Sequence, residues 1–353
     1  MNNMKNNFSI PVYSVSGSNY EIGTQIGKHF RKQIAYVVEN NHRLNLLKKL
    51  ERKDPRLQKL VGYGNKYLHQ YMEEIKGIAD GSDLNLTDIL LMSCHYDFPR
   101  KACTTVFFKE PGRIILAHNE DNNKEYLNNC FLLKVFPDGE TPFLSHCYAG
   151  MILGNSFGFN SNGMVITNNA MPTPDIKIGI PRHLIDRSML EAENMGDMIH
   201  RTLLKERSSG GSFNIVSMKE NTAINIETTS KRHYVTEVEE RYLHTNHYVS
   251  KGLSDIKRDE TLLSTSSRYN VGSRLLKEVK EKTPQAALNI LSSRIANPYS
   301  ILRNDKRMVG RTLCTALFDV SRDGITLRIY EPKPNMQEKD FVLHFSLDDL
   351  KFQ

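Results

Sequence analysis

Cys103 opens the run Ala102-Cys103-Thr104-Thr105-Val106-Phe107-Phe108, in which a small residue, a thiol and two hydroxyls lead into an apolar, β-prone segment. A thiol with an ordinary pKa of about 8.5 is partly thiolate near neutrality and attacks a carbonyl carbon with little assistance. Three further positions carry groups that such chemistry needs. Asp121 closes Ala117-His118-Asn119-Glu120-Asp121 at the end of a second short strand, and a hairpin turning at Pro111-Gly112 brings that end back toward Cys103. Asn246 lies in the polar knot His244-Thr245-Asn246-His247, where a side-chain amide can donate to a developing oxyanion. Arg311, just before Thr312-Leu313-Cys314-Thr315-Ala316-Leu317-Phe318, can hold Asp121 or a substrate carboxylate by a bidentate pair. Taken singly, these also read as a buried cysteine at a strand start, a turn aspartate, a capping asparagine and a surface arginine.

The elements that must position these groups change character at Cys103. The first hundred residues read as helical: Ser18-Asn19-Tyr20-Glu21 has capping-box spacing, and Ile22, Ile26, Phe30, Ile34, Val37 and Val38 follow on one stripe. A second helix carries Leu57, Leu60, Val61, Leu68, Tyr71, Met72, Ile75 and Ile78 and stops at Asp80-Gly81-Ser82, and a third starts with Thr87 as its cap. From Cys103 onward short strands are expected at 104–108, 113–118, 131–136, 142–147 and 163–168, between Pro-Gly, Asp-Gly and Asn-Gly turns. Helices at about 181–193 and 195–206 interrupt them, strands follow at 213–218, 223–228 and 232–238, and helices again near 268–280 and 284–295. Thr312–Asp319, Thr326–Tyr330 and Phe341–Ser346 are the closing strands. Strands in blocks with helices in blocks between them predict an α+β fold of stacked sheets with helices outside.

Composition narrows the function classes. The 353 residues bury a large core, and 39% hydrophobic with 25% charged residues is ordinary for a globular protein. No apolar run approaches the roughly 20 residues of a membrane span, which excludes a membrane partner, and no apolar signal core follows Met1-Asn2-Asn3-Met4-Lys5. Cys94, Cys103, Cys130, Cys147 and Cys314 are odd in number, far apart and without CxxC spacing, so no disulfide framework or structural metal site is expected and a cytoplasmic location fits. A net charge of +7 does not mark a nucleic-acid binder, because lysines and arginines are dispersed among acidic residues. His244 and His247 lack a third ligand at recognisable spacing, and Gly154 to Gly158 precede no phosphate-binding helix, so neither a metal nor a cofactor is expected.

Several segments, in order along nearly the whole chain, resemble the acyl-coenzyme A:6-aminopenicillanic acid acyltransferase family of self-cleaving cysteine N-terminal-nucleophile hydrolases. They are Tyr20-Glu21-Ile22-Gly23, Glu74-Ile75-Lys76-Gly77-Ile78-Ala79, Ala102-Cys103-Thr104-Thr105, Asn119-Glu120-Asp121, Gly158 through Gly163, His244-Thr245-Asn246-His247, Asn297-Pro298-Tyr299-Ser300-Ile301 and Thr312 through Asp319. The resemblance implies a four-layer αββα sandwich preceded by a helical segment. It also implies cleavage between Ala102 and Cys103 into fragments 1–102 and 103–353 that stay together as one intertwined unit.

It makes Cys103 the nucleophile, Asn246 the oxyanion donor and Asp121 the polar partner of the new α-amine. That amine, with an ordinary pKa of about 7.7–8, serves as the base. An ungapped match puts the family's arginine at Val309, between Arg307 and Arg311, and Arg311 is taken for the role. Ala102 replaces the more familiar glycine, and Glu120 stands where some members have an aromatic residue. The expected activity is hydrolysis or transfer of an acyl group from a small-molecule linear amide or acyl-CoA through a Cys103 thioester. The alternative is a non-catalytic or unprocessed binding relative of the same fold.

Overall fold

The computed structural model describes residues 8–51, 55–95, 102–256, 263–305 and 310–351. Strand β1 (Val12–Gly17) is followed by six helices: α1 (Asn19–His29), α2 (Arg31–Asn40), α3 (His42–Glu51), α4 (Arg56–Tyr67), α5 (His69–Ser82) and α6 (Leu86–Cys94). Ser18 caps α1 in a reciprocal box with Glu21, as its spacing predicts. The long stripes are each divided, the first at Phe30 and the second at Leu68, neither of which is a glycine or proline. Asn85, rather than Thr87, caps α6, because its side-chain oxygen accepts from the Thr87 N–H. Strand β1 corrects the expectation of a wholly helical beginning: only Val15 of its six residues is buried, so it carries almost no hydrophobic alternation.

The hairpin β2 (Ala102–Glu110) and β3 (Arg113–Asn123) begins the expected β block, followed by β4 (Cys130–Pro137), β5 (Phe143–Tyr148), β6 (Phe157–Asn160) and β7 (Met164–Asn169). Helices α7 (Arg182–Met189) and α8 (Met195–Thr202) precede β8 (Ser212–Ser217), β9 (Thr222–Thr228), β10 (His233–Glu237) and β11 (Arg241–His244). Helices α9 (Leu263–Glu278) and α10 (Pro284–Leu291) lead to β12 (Gly310–Ser321), β13 (Gly324–Tyr330) and β14 (Phe341–Ser346). One sheet has eight strands in the order β1-β4-β5-β6-β7-β8-β9-β10, and the other has six in the order β11-β2-β3-β12-β13-β14.

Three apolar clusters stack these parts into four layers. Phe107, Leu116, Leu132, Leu144, Val165, Val216 and Phe318 fill the space between the sheets. Outside the larger sheet, Phe131, Leu133, Ile166 and Ile215 meet the helices from α1 to α8. Outside the smaller one, Val106, Phe108, Ile115 and Leu317 meet α9 and α10. The architecture is therefore the αββα sandwich of an N-terminal-nucleophile hydrolase.

One device locks the helices before Cys103 to each other, and a second fastens them to the rest. Helices α1 and α5 cross at backbone distance: a Cβ on Gly23 would lie 2.1 Å from the Glu74 carbonyl oxygen, and one on Gly77 would lie 2.2 Å from that of Tyr20. Beside this crossing Arg187 of α7 is fully buried, with Nε 2.8 Å from Glu74 and Nη1 2.7 Å from Glu191. Tyr71 of α5 donates to the other Glu191 oxygen at 2.6 Å, and the guanidinium lies over the rings of Tyr71 and Phe143.

Candidate active site

The ladder between β2 and β3 sets Ala102 opposite Asp121 and Cys103 opposite Glu120. Cross-strand partners share a face and successive residues alternate. Cys103 and Glu120 therefore point between the sheets, and Asp121 points toward the outer helices. The hairpin does bring Asp121 beside the head of β2, but on the face away from the thiol. On the far side of β3, β12 pairs Thr312 with Asp121 and Cys314 with Glu120, so a bulge at Leu313 falls beside the site.

Cys103 is fully buried at the strand head. Its backbone N–H donates to Oδ1 of Asn246 at 2.9 Å, and the Asn246 amide nitrogen donates to the Ala170 carbonyl at 2.9 Å. Strand β11 delivers Asn246 because its last residue, His244, pairs with Thr105 of β2. The Asn246 backbone N–H is held by Thr265 of α9 at 2.8 Å.

A residue that local sequence reasoning passes over completes the cage. Arg268 of α9 is buried and donates to the Cys103 carbonyl, to Thr104 Oγ1 at 2.9 Å and to Asn246 Oδ1 at 2.8 Å. Burial lowers its pKa to about 10, still leaving it charged, with Asp121 opposing the fall.

Asp121 accepts from Thr312 at 2.6 Å, and its other oxygen, Oδ2, is buried without a hydrogen-bond donor, 3.8 Å from Nε of Arg303. Burial raises its pKa to about 6, while the charges of Arg303 and Arg268 hold it back. Among the described residues, the arginine within ion-pair distance of Asp121 is Arg303. Arg311 is half-buried and pairs in the ladder with Asn122, one position along, while Arg307 and Val309 lie outside the described residues.

On the inner face, both oxygens of Glu120 are engaged. Oε1 accepts from the Tyr148 hydroxyl and faces Cys103 Sγ at 4.0 Å. Oε2 accepts from Ser156 at 2.5 Å and lies 3.1 Å from Nε2 of His118. Cys103, His118 and Glu120 bring their donor atoms within 4.8 Å of one another. With hydroxyls on both carboxylate oxygens and the imidazole turned to the same carboxylate, the three read as a hydrogen-bonded set. Burial pushes the thiols of Cys94 and Cys130 up to about 12, and it raises those of Cys147 and Cys314 as well.

An αββα sandwich with a cysteine at the head of an inner strand, its nitrogen held by a side-chain amide, has the form of the N-terminal-nucleophile hydrolase fold. The chain belongs to the acyl-coenzyme A:6-aminopenicillanic acid acyl-transferase family, whose model matches residues 108–334, beginning just after Cys103. It is 22% identical to the beta-alanyl-dopamine/carcinine hydrolase of Drosophila melanogaster, over 94% of this chain and 95% of that one. It is 25% identical to the 40 kDa form of the acyl-coenzyme A:6-aminopenicillanic-acid-acyltransferase of Emericella nidulans, over 95% of this chain and 96% of that one. Among solved structures, a variant of the conjugated bile acid hydrolase of Clostridium perfringens aligns with a TM-score of 0.42 at 12% identity, over 65% of this chain and 90% of that one. Among the described residues no helix is long and apolar enough to cross a membrane.

Proposed function

We propose that this chain is a self-processing cysteine amidohydrolase or acyltransferase that acts on a linear amide or acyl thioester through a Cys103 acyl-enzyme. The observation that carries the reading is the bond from the Cys103 nitrogen to Asn246 Oδ1, bridged by Arg268 to the Cys103 carbonyl. These contacts fix both backbone ends of the nucleophile and leave its thiol on the inner face. Cleavage between Ala102 and Cys103 converts that nitrogen into an α-amine beside Asp121, whose buried Oδ2 accepts no hydrogen bond.

In the mature enzyme the amine takes the thiol proton and Sγ attacks the substrate carbonyl, forming a tetrahedral adduct. The Asn246 amide nitrogen carries two hydrogens, of which Ala170 takes one; the second is the donor assigned to the oxyanion. Collapse expels the amine or thiol with the proton held on the α-amine and leaves a thioester at Cys103. Water then gives the acid, and an acceptor amine gives a new amide. A hydrolase and an acyltransferase among the relatives bracket these two outcomes. We favour hydrolysis, because water is always present and no amine-binding motif can be read in the chain. The five buried free thiols accord with a reducing cytoplasm.

The test is to incubate the protein with small acyl amides and acyl thioesters, with and without a free amine, and to analyse adducts and products by mass spectrometry. Acylation at Cys103 with only free acid released supports a hydrolase, and an acyl-amine product makes the enzyme a transferase. Turnover with no adduct on Cys103, together with full activity of Cys103→Ala, would overturn the reading.

A further inference from the structure

Self-cleavage needs an activated thiol before the α-amine exists, since in the intact chain the Cys103 nitrogen is a peptide amide that accepts no proton. We propose that Glu120, backed by His118, is the base that takes the Cys103 proton in this first step. The inference rests on the self-processing reading above and concerns a step that the mature enzyme does not repeat.

Three observations converge. Glu120 is the cross-strand partner of Cys103, so its carboxylate stands on the thiol's own face, with Oε1 4.0 Å from Sγ. The carboxylate is also held by Tyr148 on Oε1 and by Ser156 and His118 on Oε2. These contacts fix the carboxylate's orientation, with Oε1 accepting from the Cys103 S–H.

The polar chain behind His118 fixes the ring. Asn225 donates to Asn214 Oδ1 at 2.9 Å, and Asn214 donates to Asn169 Oδ1 at 2.7 Å. Thr105 spends its hydroxyl proton on the same Asn169 oxygen at 2.9 Å. Thr105 therefore accepts from Nδ1 of His118 at 2.8 Å, which leaves Nε2 to share a proton with Glu120 Oε2. Asp121, the other buried carboxylate nearby, lies on the opposite face of β3 and is turned toward Arg303.

The step balances without a further reactant. The thiol proton passes to Oε1 as Sγ bonds to the carbonyl carbon of Ala102. The C–N bond then breaks, the proton moves to the Cys103 nitrogen, and the acyl chain ends as a thioester on Sγ. Water cleaves the thioester to the Ala102 carboxylate and the free thiol. Glu120 finishes as it began.

The experiment follows full-length chains made by cell-free translation, quenched at intervals and resolved by denaturing mass spectrometry from pH 6 to 9. Wild type is expected to cleave at a rate that changes little over this range. Glu120→Gln should cleave about 10²-fold or more slowly, the usual worth of a positioned base. Its residual rate should climb roughly tenfold per pH unit as hydroxide replaces the lost base, a slope that a merely structural defect does not produce. Glu120→Asp, which keeps a carboxylate, should cleave at least tenfold faster than Glu120→Gln. Wild-type cleavage by Glu120→Gln overturns the proposal, as do equally inert Asp and Gln variants that melt like wild type. If wild type itself is active yet never cleaves, it is the self-processing reading that has failed.

Discussion

Replacing Asn246 separates what its two amide atoms do. Truncation to Ala leaves Arg268 Nη2 and the Cys103 N–H without an acceptor, and the Ala170 carbonyl without a donor. At about 1.5–3 kcal/mol for the charged bond and about 0.5–1.5 for each of the two neutral ones, Asn246→Ala should lose about 2.5–6 kcal/mol of stability as well as activity. Asn246→Asp is nearly isosteric and keeps Oδ1 for both Cys103 and Arg268, but it replaces the amide donor by an anionic oxygen that faces the Ala170 carbonyl. If that donor serves the oxyanion, Asp should reduce kcat by about 10²–10³ with KM little changed. The lost bond to Ala170 O, with a carboxylate oxygen now set against that carbonyl, should cost more than the about 0.5–1.5 kcal/mol of one neutral bond and lower Tm. Steady-state kinetics on a small acyl amide, paired with thermal melts of both variants, reads out the difference. An Asn246→Asp enzyme that folds and turns over like wild type would refute the oxyanion role and leave Asn246 as a holder of the Cys103 nitrogen.

Arg187→Met should leave Glu74 and Glu191 buried without their cation, at a cost of about 3–5 kcal/mol. The check is a large fall in Tm, with loss of co-elution of the 1–102 and 103–353 fragments. Asp121 pairs with Arg303 in its ionised form, so turnover should fall as pH drops through about 6, and Asp121→Asn should abolish that acid limb in a pH–rate profile. Its effect on stability has the opposite sign. A folded pKa above the ordinary 3.8 gives a stabilisation that is complete below that value and lost as pH rises through about 6, which pH-dependent melts of wild type and Asp121→Asn will show. Alkylation at neutral pH should inactivate in step with labelling of Cys103, while Cys94, Cys130, Cys147 and Cys314, whose pKa values burial raises, stay unlabelled on peptide mapping.

What was legible in the sequence was local. The Ser18 capping box, the hairpin around Pro111-Gly112 and the switch from helix to strand near Cys103 depend on neighbours within a few residues. The same hairpin spacing brought Asp121 back to the head of β2, though the face on which it lies needed the register. Glu120, only 17 positions from Cys103, becomes its partner as soon as the ladder is known. The rest was set by distant packing. Arg268 meets Cys103 across 165 residues and sits in a helix whose sequence gives no sign that one face lies against Cys103. Arg303 lies in the segment between α10 and β12, and its approach to Asp121 depends on how that segment folds back on β3. Among the described residues strand β1 is an edge strand paired with β4, and the breaks at Phe30 and Leu68 fall where the backbone leaves helical dihedrals at residues that are not breakers.

The most direct test of the central claim, that Cys103 becomes the N-terminal nucleophile of this fold, is the intact mass of the purified protein under denaturing conditions. Of the 353 residues, 102 precede the junction and 251 follow it, so the 40.5 kDa chain should appear as species of roughly 12 and 29 kDa, the larger beginning at Cys103. Cys103→Ala should remain a single inactive chain. A wild-type preparation that turns over substrate while staying intact at 40.5 kDa would contradict the account.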